Sequence, residues 1–196
     1  MTTVATRRAT IATRRATVAT RRATGDPALA AGVWEVDRRQ STVVFAGRHL
    51  LGTISGQVRD VSGKLLVADD ATGAVEIDLG LHSADFGSEL WNDLVRRNDL
   101  LGATAHPAAR YVSRSVRISG ATVLVDGDLD LNGYGCDLPL SVRHEPLGWS
   151  TARFTTTAII DRRAFGLRWD LAAVGSDRFI AREVRLEIGL LAERVS

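Results

Sequence analysis

The sequence predicts an all-β domain, an antiparallel barrel or sandwich of around eight strands, preceded by a disordered tail. Three observations predict it. From Gly32 onward apolar residues recur at every second position, the period that puts one face of a strand in a core and the other in water. Clusters of Gly, Asn, Asp and Ser separate these runs, as hairpin connections do. Only one segment departs from the alternation with a helical pattern.

The elements follow in chain order. Trp34–Asp37, Thr42–Gly47 and Thr53–Val67 read as strands, closed by the turn Asp69-Asp70-Ala71-Thr72-Gly73. Next, Val75, Ile77, Leu79 and Leu81 share one face opposite Glu76, Asp78, Gly80 and His82. Ser88–Leu101 is the helical segment: Leu90, Leu94 and Leu101 fall near one face with Trp91 and Val95 beside them, Ser88 suits the N-cap and Gly102 the position past the C-terminus. Ala109–Ile118 reads as a strand ending at Ser119-Gly120. Val123, Val125, Leu129 and Leu131 then alternate with Leu124, Asp126, Asp128 and Asp130. Asn132-Gly133-Tyr134-Gly135 joins this run to Leu138–His144 and carries the signature of a tight hairpin. Ala152–Ile160 follows, and Val184, Leu186, Ile188 and Leu190 opposite Arg185, Glu187 and Gly189 form the last strand.

Residues 1–31 form the tail and residues 32–196 the folded domain. Thr3 to Ala23 is Thr-(Val/Ile)-Ala-Thr-Arg-Arg-Ala read three times. On a helical wheel Val4, Ile11 and Val18 share a face, but Arg8, Arg15 and Arg22 crowd it and no apolar partner stands three or four residues away. Disorder is therefore expected. Residues 1–24 hold six arginines and no acid, which leaves 19 of the 25 basic residues against 23 acidic ones in the rest. The basic pI thus belongs to the tail and does not predict a nucleic-acid partner. Arg-Arg-Ala-Thr ends at Thr10, Thr17 and Thr24, a context suited to basophilic kinases, and each phosphate would add about −1.5 to −2 charges. Peripheral attachment to an anionic membrane is the second expectation for the tail. Tandem duplication of a short coding segment accounts for the repeat without either.

Cys136 is the single cysteine, so no intrachain disulfide forms, and Asn-x-Ser/Thr is absent. No apolar run suits a signal peptide or a membrane-spanning helix, so a cytoplasmic location is expected. Catalysis finds little in the sequence. His49, His82, His106 and His144 are scattered without metal-ligand spacing, and no phosphate-cradling glycine motif is present. Gly52-Thr53-Ile54-Ser55-Gly56 sets its serine one position late for a nucleophile elbow. No enzyme activity, cofactor or metal is expected.

Six blocks in register resemble the YceI-like family of lipocalin-like, polyisoprenoid-binding barrels: Trp34-Glu35-Val36-Asp37 with Gln40-Ser41, Val44-Phe45 and His49; Gly52 to Val67; Ala105-His106-Pro107 through Tyr111; Asp126-Gly127-Asp128-Leu129-Asp130-Leu131-Asn132-Gly133; and Ile160-Asp161-Arg162-Arg163-Ala164-Phe165-Gly166, with the helix between the second and third. The similarity runs from about Val33 to Ala192. It implies a closed eight-stranded antiparallel barrel with one helix over about residues 88–101. The chain departs from the family pattern where Gln40 replaces a histidine, and where Trp91-Asn92-Asp93-Leu94-Val95 replaces Arg-Asp-x-His-Leu.

An eight-stranded barrel either fills its interior with side chains or holds one small ligand. The inward candidates are Phe45, Ile54, Val75, Ile77, Leu79, Leu129, Leu131, Leu140, Phe154, Ile160, Leu186 and Ile188. The resemblance implies that they line an elongated pore for a polyisoprenoid or isoprenoid-quinone chain, with Leu94, Leu100 and Leu101 lining or closing it, for sequestration or transfer. Arg48, His49, Arg110 and Arg163 are the head-group candidates, being near strand ends. The expected partners are such a lipid, an anionic membrane through the tail and a second copy of the chain. The alternative is a non-enzymatic, stress-linked interaction protein with a packed barrel, whose basic tail carries the contacts.

Overall fold

Residues 29–49, 52–169 and 180–195 are described in a computed structural model of the chain; residues 1–28 of the expected 1–31 tail, with Thr10, Thr17 and Thr24, lie outside them. Among the described residues are twelve strands: β1 (Gly32–Val36), β2 (Thr42–His49), β3 (Gly52–Val58), β4 (Val61–Val67), β5 (Gly73–Gly80), β6 (Ala84–Asp85), β7 (Ala108–Ser119), β8 (Thr122–Leu131), β9 (Tyr134–Asp137), β10 (Leu140–Pro146), β11 (Thr151–Asp161) and β12 (Ile180–Arg194). Helix α1 spans Glu89–Arg97, and short 3-10 turns cover Leu81–Ser83 and Arg162–Phe165.

These segments build eight antiparallel strands, because β1 and β2, β3 and β4, β5 and β6, and β9 and β10 are each one strand with a bend. The ring runs β1-β4-β5-β7-β8-β10-β11-β12, and β12 closes it by pairing Trp34 with Arg194 and Val36 with Ala192. Toward the helix end β12 pairs with β2, β2 with β3, and β3 with β6, which carries the wall past the bends. The barrel therefore has no free lateral edge along most of its length, the arrangement that protects strands from pairing with other chains.

Each bend finds partners for the backbone groups it releases. At the first, the Asp37 carboxylate accepts from the Arg39 N–H at 2.8 Å and from Gln40 Nε2 at 2.9 Å, which lowers its pKa, the Gln40 bond being the largest cause. Buried Ser41 accepts there from the Leu191 N–H at 3.0 Å. At the second, the N–H groups of Arg59 and Asp60 donate to the Ser83 hydroxyl at 3.2 and 2.9 Å. The run expected as one strand, Thr53–Val67, is thus bent here.

The alternation in β8 appears as expected: Val123, Val125, Leu129 and Leu131 are buried, while Leu124, Asp126 and Asp130 are exposed. Asn132 and Gly133 turn the chain with φ of 56° and 74°, two positive values in succession, as a type I′ hairpin requires. Cys136 lies in β9.

The helix is shorter than expected and rotated. It stops at Arg97 because Asp99 takes φ of 46°, so Leu100 and Leu101 come from the following turn. Ser88 holds the N-cap position without a side-chain capping bond. Asn92 fixes the rotation: its Oδ1 accepts from the Phe86 N–H at 2.8 Å and its Nδ2 donates to Asp85 at 3.1 Å. Trp91 and Val95, one turn apart, then pack on Phe86, Trp169 and Ile180. Leu90 is left 78% exposed, and Leu94 is half-buried outside the packed cluster.

At the opposite, tail end, Trp34 is buried among Leu29, Leu65, Phe154 and Ala192, and its Nε1 donates to the Ala30 carbonyl at 2.9 Å. Among the described residues, packing thus includes Leu29, within the segment expected as tail. Deleting residues 1–28 is expected to leave the melting temperature within a few degrees. Deleting 1–31 removes the buried Leu29 and the Trp34 acceptor, at a cost of about 2–5 kcal/mol. Thermal unfolding of the two truncations checks this; equal melting temperatures would deny Leu29 a place in the core.

Candidate ligand site

Alternation places one apolar side chain from nearly every inward position along the barrel axis, and these do not fill it. Two chambers lie end to end. The tail-end chamber has a volume of about 120 Å³ and the helix-end chamber about 100 Å³. Val43, Leu79, Leu129 and Leu186 line both and form the waist between them. An apolar cavity of about 150 Å³ stays dry and takes a benzene ring, so each chamber suits a group of at most that size without rearrangement.

Most of the expected pore residues converge here. Ile77, Leu140, Phe154 and Ile188 line the tail-end chamber, and Phe45, Leu101 and Leu131 the helix-end chamber. Three do not. Ile54 and Leu100 join the cluster at the helix end without facing either chamber, and Leu94 is turned away from both by the rotation of α1. Val36, Leu65, Tyr111 and Val142 also line the tail-end chamber, beyond the residues that alternation singled out.

Tyr111 brings the phenol of the tail-end chamber. Its hydroxyl donates to the Leu138 carbonyl at 3.1 Å, and its pKa is pushed up to about 12, first by burial and then by Asp126. Below pH 10 the group is neutral in both the folded and unfolded states, and the stability it contributes is lost as pH rises through about 12. In a Tyr134→Phe variant, Tyr111 is the sole tyrosine. Its phenolate absorbance is expected to titrate near 12; a midpoint near 10 would show that water reaches the chamber wall.

The head-group candidates do not form one cluster. Arg48 is exposed on the outer side of β2, whereas His49 is half-buried in the same register as inward-facing Phe45. Arg163 is half-buried in the turn after β11, where its N–H donates to Asp161 at 2.9 Å. Arg110, between buried Ala109 and Tyr111, points outward, where it pairs with Glu76 and, at 3.9 Å, with Asp78.

The basic residue at the helix-end chamber is Arg162, wholly buried and part of the chamber lining. Its Nε donates to the Ala181 carbonyl at 2.9 Å, and its two terminal nitrogens to Leu167 at 2.7 Å and Ile180 at 3.0 Å. The guanidinium lies 5.4 Å from the centroid of the Trp169 ring, whose Nε1 donates to the Leu100 carbonyl at 2.8 Å. Gly166, with φ of 68°, turns the chain so that the Leu167 N–H reaches the Arg162 carbonyl. The Ile160-x-Arg162-x-x-Phe165-Gly166 block held the signal for this residue.

The tail end is closed differently. His144 is buried there against Phe154, with ring centroids 6.3 Å apart. Its Nε2 lies 2.7 Å from the Gly120 carbonyl, which only accepts, so Nε2 carries the proton. Among the described residues, no three of His, Cys, Asp and Glu are grouped to hold a metal ion.

A family model described as YceI-like domain matches residues 34–192. A UPF0312 protein of Shewanella denitrificans is 25% identical over 161 residues, covering 76% of this chain and 84% of its own. Among solved structures, BcnA of Burkholderia cenocepacia is similar with a TM-score of 0.70 at 23% identity, over 80% of this chain and 98% of that one. A polyisoprenoid binding domain from Saccharophagus degradans, implicated in plant cell wall breakdown, is similar with a TM-score of 0.66 at 16% identity, over 82% and 98%.

Proposed function

The chain belongs to the YceI-like family, and from that premise we propose that its barrel sequesters or transfers a long apolar ligand of polyisoprenoid or isoprenoid-quinone type. The observation that carries this is the pair of apolar-walled chambers in line along the axis, separated by four aliphatic side chains. The polyisoprenoid binding domain from Saccharophagus degradans shares the fold. Burying ~20 chain carbons at about 0.8 kcal/mol each yields roughly 16 kcal/mol gross. Association costs of about 4–15 kcal/mol leave a positive balance. A chain of that length exceeds both chambers as they stand, so it enters by displacing the waist side chains. The polar end of the ligand rests at the helix end, since Trp34 and His144 seal the other.

Binding without catalysis is the reading the interior favours, because its walls are aliphatic and aromatic and three donors of Arg162 are committed to backbone carbonyls. We place the protein in the cytoplasm, in keeping with its single cysteine. The small volume of each chamber favours one other reading, an interaction protein whose barrel stays packed. Native mass spectrometry of gently purified protein separates the two. A co-purified mass with isoprene spacing is expected; bare protein that also fails to take up added long-chain polyprenol would sink the ligand reading.

A further inference from the structure

One stretch of the barrel wall lacks main-chain lacing, and it lies beside the tail-end chamber. β10 pairs with β11 from Arg143 opposite Thr155 to Pro146 opposite Ala152 and no further. Among the described residues, β9 and Leu140–Val142 pair only with β8, and Thr156–Asp161 pair only with β12. At roughly 3.3 Å per residue, this leaves a seam about 20 Å long between β10 and β11. Alternate N–H and C=O groups of β11 point into it without a main-chain partner. The sequence accounts for the seam. Pro139 stands between β9 and β10 and has no N–H to donate to a ladder. Thr156 instead gives its hydroxyl to the Ser141 carbonyl at 2.8 Å, and Tyr111 reaches from the interior to the Leu138 carbonyl. Two side-chain hydroxyls thus hold the segment where rungs are missing. Toward the helix the seam ends where Cys136 Sγ lies 3.9 Å from the Ala164 carbonyl.

The seam stands between two spaces. Thr156 and Ile188 line both the tail-end chamber and a depression of about 900 Å³ on the outer face, so the two share a wall. Inward side chains of β11 are small at this point, Thr156 and Ala158 standing between Phe154 and Ile160. Outside, Val44 and Ile188 supply apolar contact beside Thr157 and Gly189, with Arg143 and Glu187 as the charged members of the depression. A Cβ added at Gly189 would meet no atom within 4 Å, so the depression is open above β12. Chain length makes an outlet necessary. Trp34 and His144 close the tail end, and each chamber as it stands takes a group no larger than a benzene ring. A long isoprenoid chain that passes the waist therefore meets a closed floor, with the seam in the side wall.

We propose that the distal end of such a chain leaves the barrel through the seam between β10 and β11 and lies in the outer depression. This rests on the ligand reading above and adds that the barrel takes chains longer than its interior. Binding of radiolabelled farnesol, a short isoprenoid alcohol, and undecaprenol, a long one, to the full chain tests it. The wild type is expected to bind both. Gly189→Glu and Thr157→Glu each put a carboxylate into the outer depression, where there is room for it, and unchanged melting curves verify that the fold is intact. Each variant weakens undecaprenol by about tenfold or more, because the carboxylate must shed water where the chain lies, and leaves farnesol within about twofold. Undecaprenol bound equally by the wild type and both variants overturns the proposal and leaves the ligand reading standing. A wild type that takes farnesol but not undecaprenol does the same, since the interior then caps the chain. Equal loss of both alcohols in the variants overturns it too, because the outer face would then hold the whole ligand. A wild type that binds neither removes the ligand reading and the outlet together.

Discussion

Replacing Arg162 with leucine is expected to destabilise the barrel by about 3–5 kcal/mol, the largest loss predicted for any single side chain described here. The guanidinium holds three carbonyls, those of Leu167, Ile180 and Ala181, at 2.7 to 3.0 Å. A leucine fills part of the volume and leaves these acceptors buried, each at about 1–3 kcal/mol. The cation on the Trp169 ring is lost as well. Lysine restores the charge but not the planar fork, so Arg162→Lys should fall between the two. Urea denaturation measures both variants. A shift in stability below about 1 kcal/mol for Arg162→Leu would mean that the carbonyls find other donors.

Arg162 also marks where sequence reading stops. Period two identifies the inward face of β8 and β11, because an unbroken ladder admits only two faces. After Asp161 the chain enters a 3-10 turn, and that rule no longer decides between Arg162 and its neighbour Arg163. The neighbour was the residue expected at the site, and the buried one lines the chamber. The helix shows the same limit. Its existence was legible in the apolar spacing, yet its rotation depends on Asn92 reaching Asp85 and the Phe86 N–H. That polar pairing turns Trp91 and Val95 inward and Leu94 aside. The bend between β3 and β4 rests on Ser83, more than twenty residues away, so no local pattern announces it.

The second large effect concerns the waist. Leu129 is buried in β8 and lines both chambers, so Leu129→Trp places a ring in the waist between them. Overpacking there costs about 1–3 kcal/mol, which a closed ring of eight strands should survive. Binding of a fluorescent long-chain polyprenol is expected to fall by about a hundredfold, equivalent to roughly 2.7 kcal/mol. Leu129→Ala acts in the opposite sense: it merges the chambers, lowers stability by about 2–5 kcal/mol and admits bulkier chains. Asp130→Asn is the control, since Asp130 directly follows Leu129 in β8 and is exposed and outside both linings. Fluorescence titration of the three variants, each checked for a cooperative melt, separates the outcomes. If Leu129→Trp binds as tightly as wild type, the chain does not thread the axis and the ligand lies elsewhere on the barrel. If tryptophan and alanine both leave affinity unchanged while Asp130→Asn lowers it, the outer face is the binding surface and the interior is only a core.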